Sequence, residues 1–379
     1  MDDVFPVKPA DSDFGVVLAK GGHREFASLE ALQHQVAEGR GGVVAVWTPE
    51  EKRTVPPEAV PELLEPLRKR FAEVAEADRV HARRNVWIFG VVLAWGVAAA
   101  LGRGVAPLES QSVGLAGLLL LIFGLIPLYE AWKTGRSAME LDAISLGVEE
   151  QEARFDYWLH RQRMPVTIAL LILMGLAGAT QVWIGLDASV GAAGLVKASY
   201  HAGEWWRLLT APFLHGNPLH WILNAAALWY LGRRAESLAR WPHLALVFLL
   251  AMVAGGIATA KFLPGAPSIG ASGGVLGVLG MLMAFEWLHR KLVPRSARRR
   301  LAAGVLMTFA IGFVGYRFVD NAAHAGGLLA GILYGLIVFP RSHSMRRPRP
   351  MKIDLVVGGV ALIVLTASSL LAVRLMLAS

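Results

Sequence analysis

The sequence predicts an all-α polytopic membrane protein with a small α+β domain at its N-terminal end. Three observations carry this. Of 379 residues, 55% are hydrophobic and only 17% charged, where soluble domains carry about 25%. Nine apolar runs, near 86–102, 112–132, 165–186, 215–232, 242–262, 270–288, 301–318, 322–339 and 354–377, approach the length of a membrane span, which is about 20 residues. Basic residues gather at every second connection between those runs, the pattern left by the positive-inside rule.

The first 84 residues read as a soluble module. Phe14–Leu18 is a short strand candidate. Ser28 opens a helical run through Leu29, Leu32, Val36 and Ala37, which Gly39 stops. Gly42–Trp47 reads as a second strand. A charged helix follows over about Glu62 to Arg84. Met1-Asp2-Asp3-Val4 is acidic and lacks an apolar core, so it does not read as a cleavable signal peptide and insertion is expected to use the internal spans.

Charges orient the spans. Arg79, Arg83 and Arg84 precede the first; Lys133 and Arg136 follow the second; Arg154, Arg161 and Arg163 precede the third; Arg233 and Arg234 follow the fourth. Arg290, Lys291, Arg295 and Arg298–Arg300 lie between the sixth and seventh, and Arg341, Arg346, Arg347, Arg349 and Lys352 between the eighth and ninth. The N-terminus is therefore expected in the cytoplasm and the C-terminus outside, in the plasma (inner) membrane. The same placement accounts for the net charge of +8 without a nucleic-acid partner. There are no cysteines, which removes disulfides and thiolate metal sites. No cofactor or metal is expected.

Two stretches carry chemistry. Gly270-Ala271-Ser272-Gly273 sets a serine between glycines, and Ala323-His324-Ala325-Gly326-Gly327 sets a histidine before a glycine stripe. A serine hydroxyl needs a base to become a nucleophile, and histidine is the usual one. Ser272 lies 18 residues before Arg290 and His324 lies 17 before Arg341. At about 1.5 Å per residue, both sit roughly 25–27 Å above the cytoplasmic belt. Gly273, Gly277 and Gly280 on one helix, and Gly327, Gly331 and Gly335 on the other, would let the two backbones approach closely.

His220 and Asn224, four residues apart, share a helix face. Both are costly in lipid and should face the interior. With the Ser272 N–H they are candidate donors to an oxyanion. Counted from Arg233, however, His220 lies about 7 Å lower than the serine, and Asn224 lower still. Asp320, four residues before His324, reads as a helix N-cap rather than a triad carboxylate. No HExxH motif is present, so a metalloprotease is disfavoured.

These motifs resemble those of the rhomboid intramembrane serine proteases. The likeness rests on Gly270–Gly273 as a GxSG motif, His220 with Asn224, and Ala323-His324 with Gly327 and Gly331. Glu204-Trp205-Trp206-Arg207 resembles the Trp-Arg element of the family's large first loop, and Tyr230-Leu231-Gly232 followed by Glu236 the end of its second core helix. The resemblance covers about 165–340. It implies a six-helix core, a Ser272–His324 dyad, support from His220, Asn224 and Gly270, and structural roles for Gly273, Gly327, Gly331, Trp206, Arg207 and Glu236. The implied partners are transmembrane protein substrates and the lipid bilayer.

Two departures stand out. Leu276 occupies a position where the resemblance implies an aromatic residue. Two spans precede the core and one follows it. The expected organisation is 1–84 cytosolic domain, 85–164 transmembrane hairpin and cytosolic linker, 165–340 catalytic core, and 341–379 basic linker with a C-terminal span. The alternative function is a catalytically inactive rhomboid-like protein that binds transmembrane clients. A transporter would need intramembrane carboxylates or broken helices at midplane, and the spans from 165 on hold almost none.

Overall fold

The computed structural model describes residues 12–39, 42–51, 53–316 and 319–379. Met1–Val4 and the last two residues of the run at 301–318 lie outside them. The chain divides into two units, Met1–Arg161 with Leu306–Gly315, and Gln162–Val305 with Tyr316–Ser379.

In the first unit, β1 (Phe14–Leu18) pairs antiparallel with both β2 (His23–Phe26) and β3 (Val43–Trp47), giving the order β2-β1-β3. The β1–β2 hairpin turns through Gly21 and Gly22, at φ 85° and 87°, which only glycine adopts without strain. Between β2 and β3 runs α1 (Leu29–Glu38), whose N-cap Ser28 accepts the Ala31 N–H at 3.2 Å. Val16, Leu32, Val36, Val43, Val46, Leu63, Leu67 and Leu146 form one core. Strand β2 was not expected. Its sequence His-Arg-Glu-Phe is an exposed edge and shows no apolar alternation to read.

Helix α2 (Leu64–Gly102) fuses the expected charged helix with the first span. No glycine or proline interrupts Leu67 to Phe89, so nothing stops it at Arg84. At about 58 Å it is nearly twice the thickness of a hydrocarbon core. The second span is α3 (Gln111–Leu120), one π turn, and α4 (Ile126–Ser137). Pro127 cannot donate to the Phe123 carbonyl; that oxygen accepts from Asn85 Nδ2 of α2 instead, at 3.1 Å. The region expected as a linker contains α5 (Ala143–His160), whose Glu150 pairs with buried Arg70 and whose Arg154 binds Glu58 at 2.5 Å.

The second unit continues with α6 (Pro165–Ile184), three short helices α7 (Leu186–Ala193), α8 (Lys197–His201) and α9 (Arg207–Thr210), then α10 (Pro218–Leu238), α11 (Trp241–Phe262) and α12 (Ser272–Leu288). Helix α13 (Arg295–Val314) starts in this unit; α14 (Asn321–Val338) and α15 (Lys352–Leu377) complete it. Each of the nine apolar runs falls, among the described residues, on a helix. Among the described residues, six helices are long and apolar enough to cross a membrane: Pro61–Gly102, Ser112–Glu140, Pro165–Ile184, Trp241–Phe262, Asn321–Val338 and Lys352–Leu377. Helix α12 is shorter, at 17 residues, while α10 and α13 carry arginines in their helical ends.

Two polar devices at one end of α10 tie this bundle. Buried Arg234 and Glu286 form a two-point pair, Nε to Oε1 at 2.5 Å and Nη2 to Oε2 at 2.9 Å, and Nη2 also reaches the Ala297 carbonyl at 3.1 Å. Helices α10, α12 and α13 thus meet at one guanidinium. Glu236 accepts the N–H groups of Val166 and Thr167 at 3.2 and 2.6 Å, and the Thr167 hydroxyl at 2.6 Å. It caps the otherwise uncapped start of α6.

Removing one member of a buried pair leaves an uncompensated charge, at about 3–5 kcal/mol. Glu286→Ala should therefore lower the thermal midpoint of the detergent-solubilised protein markedly. The double variant Arg234→Met/Glu286→Leu should recover most of the loss. Tryptophan fluorescence on heating measures both, and an unchanged midpoint for Glu286→Ala would contradict this role.

Candidate active site

Ser272 is the first residue of α12. The N–H groups of that first turn precede the first helical hydrogen bond, from Val275 N–H to the Ala271 carbonyl at 3.0 Å, so they are free of helical partners. The loop before it is hung on the preceding segment. Leu195 and Ser268 exchange backbone hydrogen bonds at 3.0 and 3.1 Å, and the Gly270 N–H donates to the Ala211 carbonyl at 3.1 Å. Gly270 sits at φ 122°, and a Cβ there would stand 2.7 Å from His220 Cε1. Both the backbone and the imidazole demand glycine. Its N–H is committed to the Ala211 carbonyl.

His324 lies in the first turn of α14, where Asp320 caps the helix by accepting the Ala323 N–H at 2.9 Å. The N-cap expectation for Asp320 agrees with this contact. The two helices touch backbone to backbone. A Cβ on Gly327 would fall on the Gly273 carbonyl, and one on Gly331 on the Gly277 carbonyl. A Cβ on Gly273 would meet the Ala323 carbonyl at 3.5 Å. Ser272, Gly273, Ala323 and Asp320 line one cavity of about 40 Å³, large enough to admit water. Among the described residues the Ser272 hydroxyl makes no hydrogen bond to His324, whose Nδ1 is buried without a partner.

His220 and Asn224 come from α10, which begins at Pro218 behind an Asn217 cap that accepts the His220 N–H at 2.9 Å. The His220 ring packs against Gly270, two residues from the serine. Asn224 is buried and spends one amide N–H on the His220 carbonyl at 2.9 Å. The depth mismatch expected from Arg233 disappears. Arg234 is no belt arginine but the buried partner of Glu286. Fourteen residues separate His220 from Arg234, and fourteen separate Ser272 from Glu286. From that shared level both rise about 21 Å.

The first loop is braced by Arg207. Its Nη1 and Nη2 cap the end of α7 at the carbonyls of Gly194 and Gly191, at 2.6 and 3.0 Å, and its Nε binds Glu204 at 2.5 Å. Its guanidinium stacks 4.7 Å from the Trp206 ring centroid. Sequence reasoning missed Gln181, whose amide clamps the His215 backbone at 2.8 and 2.9 Å. It also passed over His215, whose ring packs edge-on 5.1 Å from that of His220. A glutamine inside an otherwise apolar span was the available signal.

Gly331→Ala forces a Cβ into the Gly277 backbone and should destabilise the protein by about 1–3 kcal/mol. Gly359→Ala, on the open face of α15 with nothing within 4 Å, is the matched control and should be neutral or slightly stabilising. Thermal unfolding of the two side by side reads the difference. Equal midpoints would mean that α12 and α14 are not in backbone contact.

Residues 202–341 match the family model for the Rhomboid domain. The Rhomboid protease GluP of Bacillus subtilis is 36% identical over 129 residues, 34% of this chain and 25% of that protein. RHOMBOID-like protein 4 of Arabidopsis thaliana is 30% identical over 148 residues, 39% of this chain and 38% of that protein. Inactive rhomboid protein 1 of Rattus norvegicus is 31% identical over 139 residues, 36% of this chain and 16% of that protein. The chain thus spans well under half the length of these relatives. His220, Asn224, Gly270, Ser272 and His324 all fall inside the matched segment; α15 and the three-stranded sheet fall outside it.

Proposed function

The chain is a rhomboid family member through residues 202–341, and on that premise we propose that it is an intramembrane serine endopeptidase acting on transmembrane-helix substrates. The supporting observation is the junction of α12 and α14. Ser272 opens one helix, His324 sits in the first turn of the other, and glycines hold the two backbones in contact beside a cavity that reaches the serine.

In this reading His324 removes the Ser272 proton as Oγ attacks the scissile carbonyl. The oxyanion that forms is met by the Ser272 N–H, the Asn224 amide and the His220 ring. His324 then gives the proton to the leaving amine, the C–N bond breaks, and an ester to Ser272 remains. Water, activated by the same histidine, cleaves that ester and restores the serine. Trp206, Arg207 and Glu236 hold the scaffold; Gly273, Gly327 and Gly331 hold the distance. The N-terminus and residues 1–84 face the cytoplasm of a plasma membrane, and α15 returns the C-terminus to the outer side.

Ser272→Ala and His324→Ala should each abolish cleavage of single-span substrates by the purified protein while leaving it folded, because nucleophile and base act as a unit. Removing Asn224 or His220 should lower turnover by about 10²–10³, or less where the two overlap. The likeness to a relative named inactive favours one competing reading, in which the chain binds clients without cutting them. Substrate capture with no product from the wild-type chain would establish that reading and remove this one.

Water must reach the ester from outside. Ile269 is half-buried and lines the cavity beside Ser272 as well as a larger groove with Asp187, Val196 and Pro267, whereas Leu282 is fully buried. In this cysteine-free chain Ile269→Cys should react with a membrane-impermeant thiol reagent added outside, and Leu282→Cys should not. Full protection of Ile269→Cys would contradict a hydrated, outward-opening site.

A further inference from the structure

Asp320 does more than cap α14. Its Oδ1 takes the Ala323 N–H. Its Oδ2 accepts the hydroxyl of Thr259, from α11, at 2.6 Å, and that of Ser268, from the loop leading to the nucleophile, at 2.5 Å. Ser268 Oγ also accepts a hydrogen bond from Lys197 Nζ of α8 at 2.7 Å, and the same nitrogen donates to the Ala266 carbonyl. The carboxylate therefore ties three pieces of chain, and Lys197 adds a fourth through Ser268. Ser268 precedes Ser272 by four residues, and Asp320 precedes His324 by four. A cap alone would need one oxygen and no partner from the loop.

Lysine beside serine can also mark a nucleophile with its base. Here the geometry runs the other way. Lys197 Nζ donates to Ser268 and to Ala266 instead of accepting from the serine, and the Ser268 hydroxyl donates to Asp320. Thr259 and Lys197 are both buried, while Ser268 and Asp320 are half-buried at the edge of the cavity that reaches Ser272.

We propose that Asp320 is a positioning residue for the Ser272–His324 pair. Through Ser268 and Lys197 it ties the loop that delivers the serine to the turn that delivers the histidine, and so sets the distance between them. This rests on the protease reading above.

The test uses the full-length protein in detergent, with Ser272 labelling by a fluorophosphonate and cleavage of a single-span substrate measured together. Asn caps helices as well as Asp, so Asp320→Asn should keep the thermal midpoint near that of wild type. It weakens the hold on Ser268, and labelling and kcat should fall about 10- to 100-fold with KM little changed, since small misplacements cost that much. Ser268→Ala should behave alike, and Ser268→Thr should restore most of the rate. Wild-type rates in Asp320→Asn, or losses that only track the thermal midpoint, would overturn the positioning role while leaving the dyad intact. Absence of Ser272-dependent labelling in the wild type would overturn the dyad and this role together.

Discussion

Everything at the candidate site depends on α12 and α14 meeting with no side chain between them. Gly273 and Gly277 of one helix lie against Gly327 and Gly331 of the other, and a single methyl group at Gly331 would strike a carbonyl. Lipid tails offer helices no hydrophobic reason to associate, so close van der Waals contact and a few buried polar ties must do it. The glycines supply the first. Arg234–Glu286, Glu236 on the start of α6, and Asp320 with its three partners supply the second. These ties fix the backbone at the place where the proposed proton transfer needs Ser272 and His324 close together.

The polar ties are arranged at two levels. Near one end of α10 and α12, a buried ion pair sets their relative height. Fourteen residues further along each helix stand His220 and Ser272. Gly270 then closes the gap between them, because its positive φ and missing side chain let the imidazole lie against the turn that enters α12. The same backbone that needs glycine opens the helix whose first N–H groups have no helical partners, which is what the proposed oxyanion site requires.

Much of this was legible in the sequence because it is local. Nine apolar runs fell on helices, Ser28 and Asp320 capped where their side chains predict, and the two glycine stripes met. What stayed hidden was set by tertiary partners. Arg233 and Arg234 both read as belt arginines, since sequence alone does not pair Arg234 with Glu286 across 52 positions; the offset between His220 and Ser272 came from counting from Arg233 rather than from that buried pair. Strand β2 carries charged residues on an exposed edge and leaves no periodic trace. Helix α5 is bound by charges that look solvated until Arg70, Glu150, Arg154 and Glu58 are brought together. Lys197, Ser268 and Thr259 are scattered polar residues until the loop folds over Asp320.

The central claim is that this junction performs acyl transfer through Ser272. The most direct measurement is mass spectrometry of the Ser272 peptide after acid quench of the purified protein during turnover of a single-span substrate. The account predicts an ester of Ser272 with the N-terminal substrate fragment, present in the wild-type chain and missing in His324→Ala. Product formation with an unmodified Ser272 peptide at every quench time, and at equal rate in His324→Ala, would contradict it.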